Sequence, residues 1–180
     1  MKKPLIGIIT GMPHSFTSLA SQLLLSQPDI AAGVECGLLL SNIKNFNKLN
    51  PFWDLISHTE WGWNLKEEDR EKLLKAKSYE DAYILLNKYK GGNHQDPYLI
   101  SFFKNSKLIF DKTPAYIFKL DKIMGKIDVP FVITLKTFQD SLFGHFRRKG
   151  KSLYQLVRYF VIYLRAIRKI IIALKKYPDR

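Results

Sequence analysis

The chain has 180 residues, of which 46% are hydrophobic and 13% aromatic, which is enough to bury the core of one domain and excludes a disordered protein. Its 29 Lys and Arg against 16 Asp and Glu give a formal net charge of +13, which favours anionic ligands or surfaces. A single cysteine, Cys36, excludes an internal disulfide, and the first apolar run is too short for a signal peptide or a membrane span. We therefore expect a soluble, cytoplasmic protein without a disulfide-linked partner.

The first half of the chain predicts a strand, a turn and a helix, followed by further helices. β-Branched residues from Leu5 to Thr10 predict a buried strand that ends at Gly11. Apolar residues at helical spacing predict a helix over Thr17–Ser26. The remaining predicted elements are a brief extended segment near Ile30, a short helix over Cys36–Ser41, a helix over Lys66–Lys75, and a helix from Ser78, where Ser-Tyr-Glu-Asp resembles a capping box.

The second half alternates strands and helices. The predicted elements are a strand over Lys107–Phe110, a helix over Ala115–Met124, a strand over Val129–Leu135 with Pro130 at its entrance, and helices over Gln139–Arg148 and Leu153–Lys176. Strands that alternate with helices indicate an α/β fold with a parallel sheet.

The last predicted helix is long and has a wide apolar face, which we expect to pack on the sheet. This face consists of Leu153, Leu156, Val157, Phe160, Val161, Leu164, Ile167, Ile171 and Leu174. The segment from His145 to Arg180 contains eleven Lys and Arg but only one acidic residue, Asp179, and so holds +10 of the net +13. Such a segment is either a solvated basic surface or a binding surface for an acidic partner, a nucleic acid or an anionic lipid.

The stretch Gly11-Met-Pro-His-Ser-Phe-Thr-Ser-Leu19 lies between the first strand and the first helix. Free backbone N–H groups and the helix dipole make such a turn an anion site, to which Ser15, Thr17 and Ser18 would add hydroxyl donors. An ATP-binding loop would have a second glycine and a lysine where this chain has Phe16 and Thr17, and this difference argues against an ATPase or GTPase.

The segment from Gly11 to Glu35 resembles the 5′-phosphosulfate-binding loop of sulfotransferases, G-x-P-R-S-G-T-T-L, with the helix, proline turn and glutamate that follow it. The segment Asp111–Tyr116, D-K-T-P-A-Y, resembles the K-x-P block of that family. The segment Val129–Gly150 resembles its strand followed by R-[DN]-P and a serine. The similarity is greatest to the branch with protein-tyrosine and bacterial sulfotransferases.

The resemblance implies a P-loop-like three-layer α/β/α fold with a central parallel sheet, the donor 3′-phosphoadenylyl sulfate, no metal, and sulfuryl transfer to a hydroxyl or an amine. In it, Glu35 matches the catalytic base and Lys112 the cation that contacts the transferring group. His14 stands at the position of the loop's arginine or lysine. The implied donor-binding residues are Pro13, His14, Ser15, Phe16, Thr17, Ser18, Lys136 and Gly144.

Several of these positions depart from the family pattern. Phe16 replaces a glycine of the loop, and Lys136 replaces the arginine that holds the 3′-phosphate, which keeps the charge but loses the two-pronged geometry. Phe138 and Gly144 replace a proline and a serine. The chain also ends at residues 175–180, where family members continue, so we expect one domain over residues 1–180 without the usual C-terminal strand and lid.

Three functions are compatible with this sequence. The first is a sulfotransferase with an unusual donor loop, and the second is a sulfotransferase-like protein that binds a nucleotide or an acidic partner without catalysis. The third is a membrane- or nucleic-acid-associated module that uses the basic last helix. The acceptor pocket is expected in the aromatic region from Phe52 to Tyr89, which has no motif that identifies the acceptor.

Overall fold

The computed structural model describes residues 5–12, 15–27, 30–33, 37–40, 67–86 and 108–180. The first elements are β1 (Leu5–Gly11), α1 (Thr17–Leu25), β2 (Ile30–Gly33), a short 3-10 helix (Leu38–Leu40), α2 (Glu67–Leu74) and α3 (Tyr79–Leu86). They are followed by β3 (Leu108–Lys112), a second 3-10 helix (Pro114–Lys119), α4 (Leu120–Ile123), β4 (Phe131–Thr134), α5 (Phe138–Lys149) and α6 (Leu153–Lys176).

The four strands form one parallel sheet in the order β2-β3-β1-β4. In β1, Leu5 is paired with Ile109 of β3, and Ile8 with Phe131 of β4. Ile8 and Ile9 point to opposite faces of the sheet, yet each is only 1% exposed. Both faces are therefore covered, and the predicted α/β fold with a parallel central sheet is confirmed.

Two helices begin directly after capping residues that are recognisable in the sequence. The Ser78 hydroxyl accepts from the backbone N–H of Asp81 at 3.0 Å, as the capping-box pattern predicts. The Ser152 hydroxyl accepts from the N–H of Gln155 at 3.2 Å, and α6 has the predicted bounds. Pro130 lies just before β4, and its carbonyl accepts from the N–H of Ile8 at 3.0 Å, so its predicted place at the strand entrance is also confirmed.

The segment predicted as a helix over 115–124 is mostly a 3-10 helix, with one α-helical turn only at its end. The Tyr116 hydroxyl donates to Asp111 Oδ2 at 2.6 Å, which ties the side chain back to the end of β3. The tight 3-10 turn allows this hydrogen bond to form, and both Tyr116 and Ile117 are completely buried.

The packing predicted for the last helix was wrong. α6 contacts α4, α5 and the second 3-10 helix through a different face, whose buried residues are Tyr159, Ala166, Ile170 and Ala173. The two alanines allow close approach of the helix backbone, whereas Leu153 is 75% exposed and Leu164 49% exposed. Within the part of the chain that the structure describes, no helix combines the length and the apolar character needed to cross a membrane.

Candidate anion-binding site at the carboxyl edge of the sheet

The loops that follow β1 and β4 meet at the carboxyl edge of the sheet, where open parallel sheets bind ligands. The Ser15 hydroxyl donates to the Thr134 carbonyl at 2.8 Å and lies 3.1 Å from the Thr134 hydroxyl. The Ser15 N–H donates to the Met12 carbonyl at 3.0 Å and closes the turn after β1. The Ser15 hydroxyl, which the sequence suggested as a ligand donor, therefore fastens the loop to β4.

Gly11 is required at the end of β1 by its neighbours across the sheet. A Cβ at this position would collide with both the carbonyl and the hydroxyl of Thr134, and would lie 2.7 Å from the Ser15 hydroxyl. Glycine thus lets the first loop approach β4 closely enough for the Ser15 bonds to form.

Phe16 immediately precedes α1 and has a left-handed backbone, with φ 67° and ψ 16°. Among the described residues, no other residue except glycine has a positive φ. This conformation is costly for a bulky side chain and is ordinarily the reason for a glycine. The loop therefore has the backbone shape that the glycine of the resembling motif would provide, although the residue is phenylalanine.

Lys136 comes from the loop after β4 and reaches the loop after β1. Its Nζ lies 4.1 Å from the centre of the Phe16 ring, a cation–π contact. The Lys136 carbonyl accepts from the Tyr163 hydroxyl of α6 at 3.2 Å, which holds the backbone of this loop. The contact places a positive charge beside the start of α1.

The start of α1 has several features that favour binding of an anion. Phe16 has no side-chain oxygen with which to cap the helix, and the first turn contains no acidic residue. The first N–H groups of a helix have no partner within it, and they carry the positive end of its dipole. Thr17 is buried and Ser18 is exposed, so within this turn the hydroxyl of Ser18 is open to solvent.

Lys112 is the last residue of β3, and its Cα is paired with that of Ile9 on the opposite side of β1 from β4. It is partly buried and lies at the same edge of the sheet as Gly11 and Thr134. The structure therefore places the two predicted cations, Lys112 and Lys136, on the two sides of β1.

Asp111, which the sequence analysis did not select, organises the end of β3. This residue is 1% exposed, and its carboxylate accepts from the hydroxyls of Tyr83 and Tyr116, each at 2.6 Å, and of Thr113 at 2.7 Å. The Thr113 hydroxyl also accepts from the N–H of Gly37 at 3.3 Å, which joins the segment after β2 to the strand end that carries Lys112. The sequence signal for this role is an aspartate directly after the apolar run Leu-Ile-Phe, because a buried carboxylate needs hydrogen-bond partners.

The structure describes only one of the other predicted site residues, Gly144. Pro13, His14 and Glu35 lie outside the described residues, as does most of the predicted acceptor region apart from 67–86. Gly144 lies in α5, about 9 Å along the helix from Phe138. A Cβ at Gly144 would meet no atom within 4 Å.

Comparisons with known proteins identify the fold. No protein-family model matches the chain, and no curated protein matches it. Among solved structures, the sulfotransferase domain from the Synechococcus PCC 7002 olefin synthase is similar with a TM-score of 0.56 and 17% sequence identity. The match covers 95% of this chain and 62% of that domain, so the chain spans less than two thirds of its neighbour's length. The chain therefore has a sulfotransferase-like α/β fold.

Proposed function

We propose that the protein is a sulfotransferase that moves a sulfuryl group from 3′-phosphoadenylyl sulfate to a hydroxyl or amine acceptor. The observation that carries the proposal is the loop between β1 and α1, which is left-handed at Phe16 and has the Lys136 amine 4.1 Å from the Phe16 ring centre. This loop stands in the place, in a sulfotransferase-like fold, where parallel α/β sheets bind their ligands.

The donor's phosphates are assigned to the start of α1 and to Lys136. The N–H groups of the first turn and the Ser18 hydroxyl supply uncharged donors, while Lys136 supplies the charge for the 3′-phosphate. Pro13 and His14 belong to the same loop, and a histidine there supplies a hydrogen-bond donor to the donor's oxygens. Ser15, Phe16 and Thr17 contribute by setting the shape of the loop.

The chemistry is an in-line displacement at sulfur. The acceptor's oxygen or nitrogen forms a bond to sulfur, and the bond between sulfur and the bridging phosphate oxygen breaks, which releases 3′-phosphoadenosine 5′-phosphate. Glu35 takes the acceptor's proton, and Lys112 neutralises charge on the sulfuryl oxygens and the bridging oxygen. The bond from Gly37 to Thr113 supports this pairing, because it anchors the chain two residues after Glu35 next to Lys112.

The second candidate is a protein that binds the nucleotide without catalysis. One observation favours this candidate. Phe16 stands where the family has its loop glycine, Lys136 stands where it has the phosphate-binding arginine, and these two residues contact each other. A lysine lacks the planar fork with which an arginine grips a phosphate. The two candidates share the nucleotide site and differ in sulfuryl transfer.

Calorimetric titration with 3′-phosphoadenosine 5′-phosphate tests the site. We expect binding by the wild type and a Kd about tenfold higher for Lys136→Gln, because a charge-assisted contact is lost. Lys75→Gln, which removes an exposed lysine of the α2–α3 connection, is the matched control and should bind like the wild type. An absence of both heat and thermal shift at millimolar ligand would contradict either candidate function.

Transfer of labelled sulfate from the donor to a panel of phenols, sugars, peptides and amines then separates the candidates. A sulfotransferase labels at least one acceptor class, and Glu35→Gln abolishes labelling while nucleotide binding persists. Binding without labelling of any acceptor supports the second candidate. Equal labelling by the wild type and Glu35→Gln would remove Glu35 as the base.

A further inference from the structure

The side of α6 that points away from the body of the protein is an apolar stripe. It consists of Leu153, Val157, Phe160, Val161, Leu164 and Ile171, whose exposed fractions are 75%, 54%, 47%, 40%, 49% and 49%. We call these six residues the outer stripe. The opposite side of the helix holds the buried residues that contact α4, α5 and the second 3-10 helix. Within the described part of the chain the outer stripe is largely exposed, although the Phe160 ring packs edge-on against Phe138 of α5, with ring centres 5.6 Å apart.

Cations lie beside and within the outer stripe. Exposed Arg158, Arg165 and Lys176 follow its edge, and exposed Arg168 and Lys175 fall within its arc; we call these five residues the basic flank. α6 contains no Asp or Glu, and four further cations lie just before it, at 147, 148, 149 and 151. The whole 24-residue helix, about 36 Å long, therefore presents apolar and positive surface side by side.

A groove runs between α6 and the second 3-10 helix beside the basic flank. Its volume is about 650 Å³, and it is lined by Phe118, Ile162, Arg165, Arg168, Lys169 and Ile172. Lys169 is paired with Asp121 at 3.0 Å, whereas Arg165 and Arg168 are exposed. A groove with apolar walls and two exposed guanidinium groups suits an anionic headgroup attached to an apolar chain.

The charge of α6 discriminates between the possible occupants of the outer stripe. Residues 153, 157, 160, 164, 167, 171 and 174 recur at intervals of four and three, a spacing that also suits a coiled coil. A second copy, however, would bring basic flanks together with no acidic residue in either helix to pair with them. A flat anionic surface accepts the apolar residues and the cations at once, along the full length of the helix.

We propose that α6 docks the protein on an anionic lipid surface. The helix lies parallel to the surface, with the outer stripe in the boundary between headgroups and acyl chains. The basic flank contacts the headgroups, and the groove beside Arg165 and Arg168 takes a lipid phosphate. This inference is independent of the proposed sulfuryl transfer, because its residues are on α6 and not at the carboxyl edge of the sheet.

Co-sedimentation of the full chain with vesicles tests the proposal. With phosphatidylcholine vesicles that contain phosphatidylserine, we expect a partition coefficient at least tenfold higher than with phosphatidylcholine alone, because each basic residue near an anionic surface adds to binding. Raising the salt concentration should weaken the binding, since the attraction is screened. Failure to sediment with either vesicle, or equal partition into both, would overturn the proposal.

Variants separate the lipid surface from other polyanions. Leu164→Asp should lower partition at least tenfold, whereas Leu23→Asp, at an exposed leucine of α1, should not. Arg165→Gln with Arg168→Gln should lower it about thirtyfold, whereas Lys75→Gln with Lys77→Gln, which removes the same charge elsewhere, should have little effect. All of these side chains are partly or fully exposed, and an unchanged thermal unfolding curve verifies that each variant folds.

Three results would contradict a lipid surface. The first is equal loss of vesicle binding in the control variants, which would show that net charge alone is responsible. The second is vesicle binding that depends on the two arginines but not on Leu164, accompanied by tight binding to single-stranded DNA, which would indicate a general polyanion site. The third is a dimer in sedimentation velocity that Leu164→Asp dissociates, without vesicle binding, which would assign the outer stripe to a second copy.

Discussion

Phe16 and Lys136 show how two unusual residues can depend on each other. The backbone of Phe16 is in a region that bulky residues avoid, while its ring lies under the ammonium group of Lys136. A cation–π contact at an exposed site stabilises by about 0.5–1 kcal/mol, which offsets part of the cost of a left-handed backbone. The pair thus keeps the loop geometry and fixes a cation beside it.

Replacing Phe16 by glycine and by alanine separates these two contributions. Both substitutions delete the ring, but only glycine adopts a positive φ without strain. We expect the free energy of unfolding of Phe16→Gly to exceed that of Phe16→Ala by about 1 kcal/mol, measured by urea denaturation. Equal stabilities of the two variants would show that position 16 carries no backbone strain.

At the scale of elements, capping residues and apolar spacing predicted the bounds of the helices well. The same patterns predicted poorly which face of a helix is buried. Ser152 and the run after it specify α6 from Leu153 to Lys176, because helix ends are decided by local bonds. The buried face of α6 was not predictable in this way, since apolar residues surround much of the helix. Packing selected the side with Ala166 and Ala173, where the backbone can approach its neighbours.

One glycine inside α5 and the glycine that follows it offer a matched test of helix geometry. A Cβ at Gly144 or at Gly150 would meet no atom within 4 Å, but Gly144 is inside the helix and Gly150 follows it with φ 81°. Gly144→Ser should raise the free energy of unfolding by about 0.5 kcal/mol, because serine is the better helix former. Gly150→Ser should lower it by about 1 kcal/mol, because a side chain is strained at positive φ. Thermal or urea unfolding measures both, and the same sign for the two variants would contradict this explanation.

At the scale of the whole molecule, the site could be predicted only in part. The loop after β1 and the strand end at Lys112 follow from local patterns and from the family resemblance. The contact between Phe16 and Lys136 does not, because it depends on β4 lying next to β1 in the sheet. The hydrogen bonds of Asp111 likewise depend on Tyr83, which belongs to a helix that no local pattern places beside β3.

Lys126 makes another long-range connection, which should be visible in the pH dependence of stability. Its Nζ donates to the Leu39 carbonyl at 2.6 Å. Burial, with a smaller contribution from the charge of Lys119, lowers the pKa of Lys126 from 10.5 to about 8. Between these two values the unfolded chain binds more protons than the folded one, so this group makes the protein more stable as the pH rises.

The comparison of the wild type with Lys126→Met isolates this effect from other titrations. From about pH 7.5 to pH 10, we expect the free energy of unfolding of the wild type to increase by about 1 kcal/mol relative to the variant. The expected gain is well below the full linkage value, because the side chain is only half-buried and is screened by solvent. A difference that stays constant or falls with pH would contradict a lowered pKa.

The position of β1 in the sheet has a consequence for the synthesis of the chain. This strand is made first, yet its neighbours are residues 108–112 on one side and 131–134 on the other. At ~5–20 residues per second, β4 leaves the ribosome roughly 6–24 seconds after β1. During that interval the apolar segment Leu5–Gly11 has no strand partner on the β4 side, and it is the segment that a nascent-chain chaperone would be expected to bind.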